Sequence, residues 1–201
     1  GDSAGGGLSL ALMISLVDDF LRTGVKKLPG GSILLSPWVN LDMDAEMGDV
    51  EDSLEICQSA REATIVKHLR EYSTFMSNAP YDYLPTEAAR FKQYALFYGQ
   101  EPGKLHNPLV SPVFASDEQL SYLPPTLMIL GGSEQLAGQC KLFTHRAQAV
   151  NSDFELANYS HMVHVFQFMG GAAEETKQAT HRAHDFVKKV YGPFLGSFPD
   201  S

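Results

Sequence analysis

Two short apolar runs and a third strand-like segment, set apart by helix-length stretches, do most to limit what this chain can fold into. They cover residues 33–35, 126–130 and 154–159, and the first two are bounded by Gly and Pro. Continuous short runs of this kind mark strands buried on both faces of a parallel sheet. Helical patterns are expected over 8–23, 55–77, 86–98, 139–151 and 174–191, with Gly24 and Gly99 as natural C-caps. Strands that alternate with helices predict an α/β fold, a mostly parallel sheet flanked by helices. There is no internal repeat and no low-complexity linker, so residues 1–201 read as one domain.

The first five residues are Gly1-Asp2-Ser3-Ala4-Gly5. A serine between glycines at this spacing fits a sharp strand-to-helix turn that lifts the hydroxyl out of the fold. The expectation is steric: a Cβ at Gly1 or Gly5 would collide with neighbouring backbone. The helix beginning after Ser3 aims the positive end of its dipole at the serine, where negative charge can be met. A serine hydroxyl is a weak nucleophile, so it needs a base and a group that orients the base. In one arrangement these follow in chain order as Ser, Asp or Glu, His, each on a loop after a strand. The second predicted strand leads into Gly131-Gly132-Ser133-Glu134, whose only carboxylate is Glu134. The third leads into Ser160-His161-Met162-Val163-His164, which offers His161 and His164.

Five segments in order resemble the hormone-sensitive-lipase-like branch of the α/β-hydrolases. They are Gly1-Asp2-Ser3-Ala4-Gly5-Gly6, Leu35-Ser36-Pro37-Trp38, Leu109-Val110-Ser111-Pro112, Gly131-Gly132-Ser133-Glu134-Gln135-Leu136 and Met162-Val163-His164-Val165-Phe166. The resemblance runs along nearly the whole chain, with Glu134 standing where Asp is usual. It implies Ser3 as nucleophile, His164 as base and then acid, and Glu134 as the orienting carboxylate, with His161 a polar residue near the site mouth. The implied activity is that of a serine carboxylic-ester hydrolase acting on short- to medium-chain acyl esters without a cofactor. The family's His-Gly-Gly motif and the strands before the elbow have no counterpart here, so the N–H of Ala4 is the one oxyanion donor assigned. The expected fold is therefore a partial, truncated α/β-hydrolase domain that starts at the elbow. A catalytically inactive remnant or binding module is the alternative. An acidic residue that often follows the family's acid loop is replaced by Ala137-Gly138-Gln139, a change expected to alter local bonding more than chemistry.

A net charge of -9 argues against a nucleic-acid partner. No apolar run of 18 or more residues is evident, so no membrane span is expected. Compartment and oligomeric state stay open, with a cytoplasmic location favoured. Cys57 and Cys140 are expected to be free and partly buried. His161 with His164, and His181 with His184, have zinc-like spacing, but nothing in the sequence brings the pairs together, and no metal is expected. His68, His106 and His145 carry no partner pattern and are expected at the surface or in structural roles. The six acidic residues between Asn40 and Ser53 predict a solvated loop.

Overall fold

The computed structural model describes residues 1–195. Three parallel strands, β1 (Ser32–Leu35), β2 (Thr126–Gly131) and β3 (Phe154–Tyr159), form a sheet in the order β1-β2-β3. Ile33 pairs with Leu127, and Leu127 with Glu155, which fixes the register. Gly1 and Asp2 run beside the free side of β1. The nitrogen of Gly1 donates to Ile33 O at 3.1 Å, and Leu35 N donates to Gly1 O at 3.0 Å.

The period of two along each strand, with both faces covered, explains the unbroken apolar runs of β1 and β2. Leu34, Met128 and Leu130 face one way, into a core shared with α1 (Ser3–Thr23), α4 (Ala60–Tyr72) and α8 (Ala137–Val150). Ile33, Leu35, Leu127 and Ile129 face the other way, against Phe166 and against Ala179 and Phe186 of α9 (Glu174–Leu195). Every residue of β2 is buried, as a central strand between two helical layers requires. Truncating Leu130 to alanine would cost about 2–5 kcal/mol by opening a cavity on one of these faces.

α1 begins at Ser3, earlier than its apolar stripe alone predicts, and ends at Gly24, whose φ of 73° suits glycine. Contrary to the expectation of no membrane span, α1 is, among the described helices, the one long and apolar enough to cross a membrane by length and composition. Its stripe of Leu10, Ile14 and Val17 is spent on the core. Between β1 and β2 the chain makes a long excursion through α2 (Met43–Met47), α3 (Val50–Glu55), α4, α5 (Phe75–Asn78), α6 (Ala88–Gly99) and α7 (Asp117–Ser121). The cap of α6 is Gln100, at φ 68°, rather than Gly99.

The acidic stretch is not the solvated loop the sequence predicts. It folds as α2 and α3, and Asn40, Asp42, Glu46 and Ser53 are buried. Asp42 caps α2 by accepting from Ala45 N at 3.3 Å, and it also accepts from Ser53 Oγ at 2.9 Å. Glu46 Oε1 accepts from Asn40 Nδ2 and from Gln139 Nε2, each at 2.8 Å. Gln139 Oε1 in turn accepts from Val39 N and Asn40 N, so α8 is sewn to the loop after β1. Asn40, Ala45 and Ser53 are local donors, but Gln139 comes from distant sequence, and its packing against this stretch is what local composition did not carry. Burial and the nearby charge of Asp42 outweigh the two hydrogen bonds and push the Glu46 carboxyl up to about 8.

Candidate active site

The carboxyl ends of all three strands meet the start of α1, and the loops that leave them hold the candidate residues. This is where open α/β sheets place their sites. Ser3 opens α1 at φ 48°, a left-handed conformation that costs a non-glycine residue roughly 1–2 kcal/mol. Ser36, just past β1, and Val165, just past His164, share it at φ 47° each. Three of the four described non-glycine residues with positive φ therefore cluster here, which marks an over-determined, functional region.

His164 Nε2 lies 2.9 Å from Ser3 Oγ, at hydrogen-bond length. His164 is 3% exposed and Glu134 0%, so any proton moved between them is shielded from bulk water. Glu134 Oε2 is 3.8 Å from His164 Nδ1, in ion-pair range but too long for a hydrogen bond. Both His164 Nδ1 and Glu134 Oε1 lack a hydrogen-bond partner. Glu134 Oε2 accepts from Ser36 Oγ at 2.6 Å and from Gly131 N at 3.2 Å. Burial raises the Glu134 carboxyl above its ordinary range, while His164, Ser36 and the Gly131 N–H act against that rise. The N–H of Ala4 sits in the first turn of α1, where no intrahelical acceptor exists.

The steric role of the glycines differs from expectation. A Cβ on Gly1 would sit 2.5 Å from Gly5 O, as predicted, but a Cβ on Gly5 would meet nothing within 4 Å. The close approaches belong to Gly6, whose Cβ would stand 2.8 Å from Pro37 Cβ, and to Gly7 against Trp38 O. They let α1 lie directly on the chain that leaves β1. Gly131 has a similar task, since its Cβ would lie 2.5 Å from Val163 O and push the acid loop off the histidine loop.

Several residues that hold the arrangement were given no role by the sequence, although Ser36 stands in one of the resembling segments. Ser36 donates to Glu134 and accepts from Val165 N at 3.1 Å, so one hydroxyl links the acid and histidine loops. Asp82 accepts from His164 N at 3.1 Å through Oδ1 and from Gln135 N at 2.8 Å through Oδ2. Asn78 Nδ2 donates to Glu134 O at 2.8 Å. His161 is exposed beside Ser133 and outside the Ser3–His164 pair, as its reading as a loop residue near the mouth implies. His181 and His184 lie exposed on α9. Cys57 and Cys140 are free, the first half-buried and the second buried. An apolar cleft of about 170 Å³ opens beside Ala4, lined by Gly7, Leu8, Trp38, Tyr94 and Tyr98 among others.

A family model described as the alpha/beta hydrolase fold matches residues 1–168. An esterase of Acinetobacter venetianus is 29% identical over 190 residues, 94% of this chain and 51% of that protein. The crystal structure of an esterase from the bacterial hormone-sensitive lipase family superposes with a TM-score of 0.65 at 29% identity, over 94% of this chain and 52% of that one. Carboxyl esterase 2 of the mycorrhizal fungus Tuber melanosporum shares the fold at a TM-score of 0.67 and 21% identity, over 94% of this chain and 53% of that one. The chain spans about half the length of the relatives it matches.

Proposed function

The chain belongs to the α/β-hydrolase fold family, in its hormone-sensitive-lipase-like branch, and from that premise we propose that it is a serine carboxylic-ester hydrolase acting on short- to medium-chain acyl esters. In this reading residues 1–201 act as one catalytic domain. The observation that carries it is the 2.9 Å contact between His164 Nε2 and Ser3 Oγ. His164 takes the hydroxyl proton as Ser3 Oγ attacks the ester carbonyl. The tetrahedral oxyanion meets the N–H of Ala4 and the positive end of α1. The intermediate collapses, His164 returns the proton to the departing alcohol, and an acyl-enzyme remains on Ser3. Water that gives its proton to His164 then releases the acid and restores Ser3.

Glu134 orients His164 and stabilises the imidazolium. The 3.8 Å separation needs to shorten by roughly 1 Å to become a hydrogen bond, and catalytic bonds are often long before substrate binds. The small apolar cleft beside Ala4 supports a short acyl or alcohol group.

Hydrolysis of a chromogenic butyrate ester by the full chain, with Ser3→Ala in parallel, tests the reading. Loss on the order of 10⁶-fold in kcat with an unchanged circular dichroism spectrum is expected, because a triad acts as a unit. Folded chain that neither turns over the ester nor takes a fluorophosphonate label on Ser3 would sink it. The non-catalytic binding module would then be the better account.

A further inference from the structure

We propose that Cys57, Glu62 and His106 form a binding site for a divalent, borderline-soft metal ion, with Zn²⁺ the best match. The three share no residue with the Ser3 site, and the inference is independent of the hydrolase reading. They come from three places: Cys57 just after α3, Glu62 in the first turn of α4, and His106 in the loop after α6. Their ligand atoms all lie within 4.8 Å of one another. His106 Nδ1 is 3.8 Å from Cys57 Sγ and 3.5 Å from Glu62 Oε2. Ligands about 2.0–2.3 Å from a tetrahedral zinc stand roughly 3.5 Å apart, close to the two separations measured from His106 Nδ1, and side-chain rotation of Cys57 and Glu62 would bring the third pair to the same spacing.

The surroundings favour a ligand over a surface histidine. His106 is buried, and its Nε2 lies 2.8 Å from Asp42 Oδ2. Asp42 is held by Ser53 Oγ and Ala45 N, both donors to Oδ1. An acceptor on Nε2 puts the ring proton there and leaves the Nδ1 lone pair facing the thiol and the Glu62 carboxylate. A carboxylate behind a histidine is the usual outer partner of a metal-bound imidazole. The ring is further fixed by stacking on Phe114, with centroids 4.1 Å apart. Glu62 is oriented in advance, since Oε2 accepts from Gln58 N at 2.8 Å. A lone pair, a thiol sulfur and a carboxylate oxygen then converge, and a cation among them resolves the contact. A cavity lined by Glu62, His106, Gly103 and Asn107 gives an entry path and room for a water as fourth ligand. The thiolate–imidazole–carboxylate set suits zinc or cobalt rather than calcium or magnesium. On binding, Cys57 releases its thiol proton to solvent, about one per ion.

Chelator-treated full chain titrated with Co²⁺ decides the matter. The expected result is thiolate-to-cobalt charge-transfer absorption that saturates at one ion per chain and is displaced by Zn²⁺. Cys57→Ser should abolish that absorption with the fold retained by circular dichroism, whereas Cys140→Ser should keep it. Asp42→Asn should weaken the affinity on the order of 10- to 100-fold. No saturable charge-transfer band in folded protein, or a band that survives Cys57→Ser, would overturn the proposal. Either result would leave His106 as a structural residue held by Asp42 and by stacking on Phe114.

Discussion

Glu134 and Glu46 are both buried carboxylates in which one oxygen takes two hydrogen bonds and the other takes none. Burial raises both. What separates them is the neighbour that can change charge. Glu134 faces His164 Nδ1, an orphan nitrogen able to become half of an imidazolium. Glu46 faces the neutral amides of Asn40 and Gln139, whose hydrogen bonds favour its charged form too little to offset burial and the like charge of Asp42. The same residue type under the same burial thus supports chemistry in one place and cohesion in the other.

The sharpest way to break this comparison is to neutralise each acid without changing its shape. Glu134→Gln should lower kcat on the order of 10⁴-fold by losing the orienting carboxylate. Glu46→Gln should leave the rate on the butyrate ester within about twofold. Comparable losses in both variants would mean that Glu46 also serves the site.

A second contrast is thermodynamic. Glu46 holds its proton in the fold to about pH 8, and releases it near 4.5 when unfolded. The folded state binds more protons in that window, so stability should be fullest below pH 4.5 and fall as pH rises towards 8. Urea unfolding at several pH values should show Glu46→Gln removing part of that fall, on the order of a few kcal/mol. Parallel curves for the two proteins would refute the assignment. The smallest expected effect is at Ser36. Ser36→Ala removes the donor to Glu134 and the acceptor for Val165 N, and should cost about 1–3 kcal/mol in stability with a modest loss of rate.

The two glutamates also show what could be read in advance. Ser3 was legible from its place between Gly1 and Gly5, and Glu134 and His164 because each follows a strand-like run, so that the chain order of the strands fixes the order of their loops. The structure brings all three to the carboxyl end of the sheet. Glu46 was hidden, since its partners Asn40 and Gln139 matter only once α8 lies against the loop after β1. His106 was unreadable for the same reason, because its value comes from Asp42, far away in the chain. Gly5 has no steric need to be glycine because the tight approach falls one and two residues later, where α1 meets Pro37 and Trp38.

Asp82 takes one oxygen to the backbone that carries His164 and the other to the N–H of Gln135, next to Glu134. A small drift of that carboxylate moves both loops the same way and largely cancels in the separation between them. The spacing that matters is therefore a difference measurement taken against a common reference. It is insulated from the wandering of either loop, much as a balanced circuit rejects noise shared by both of its arms.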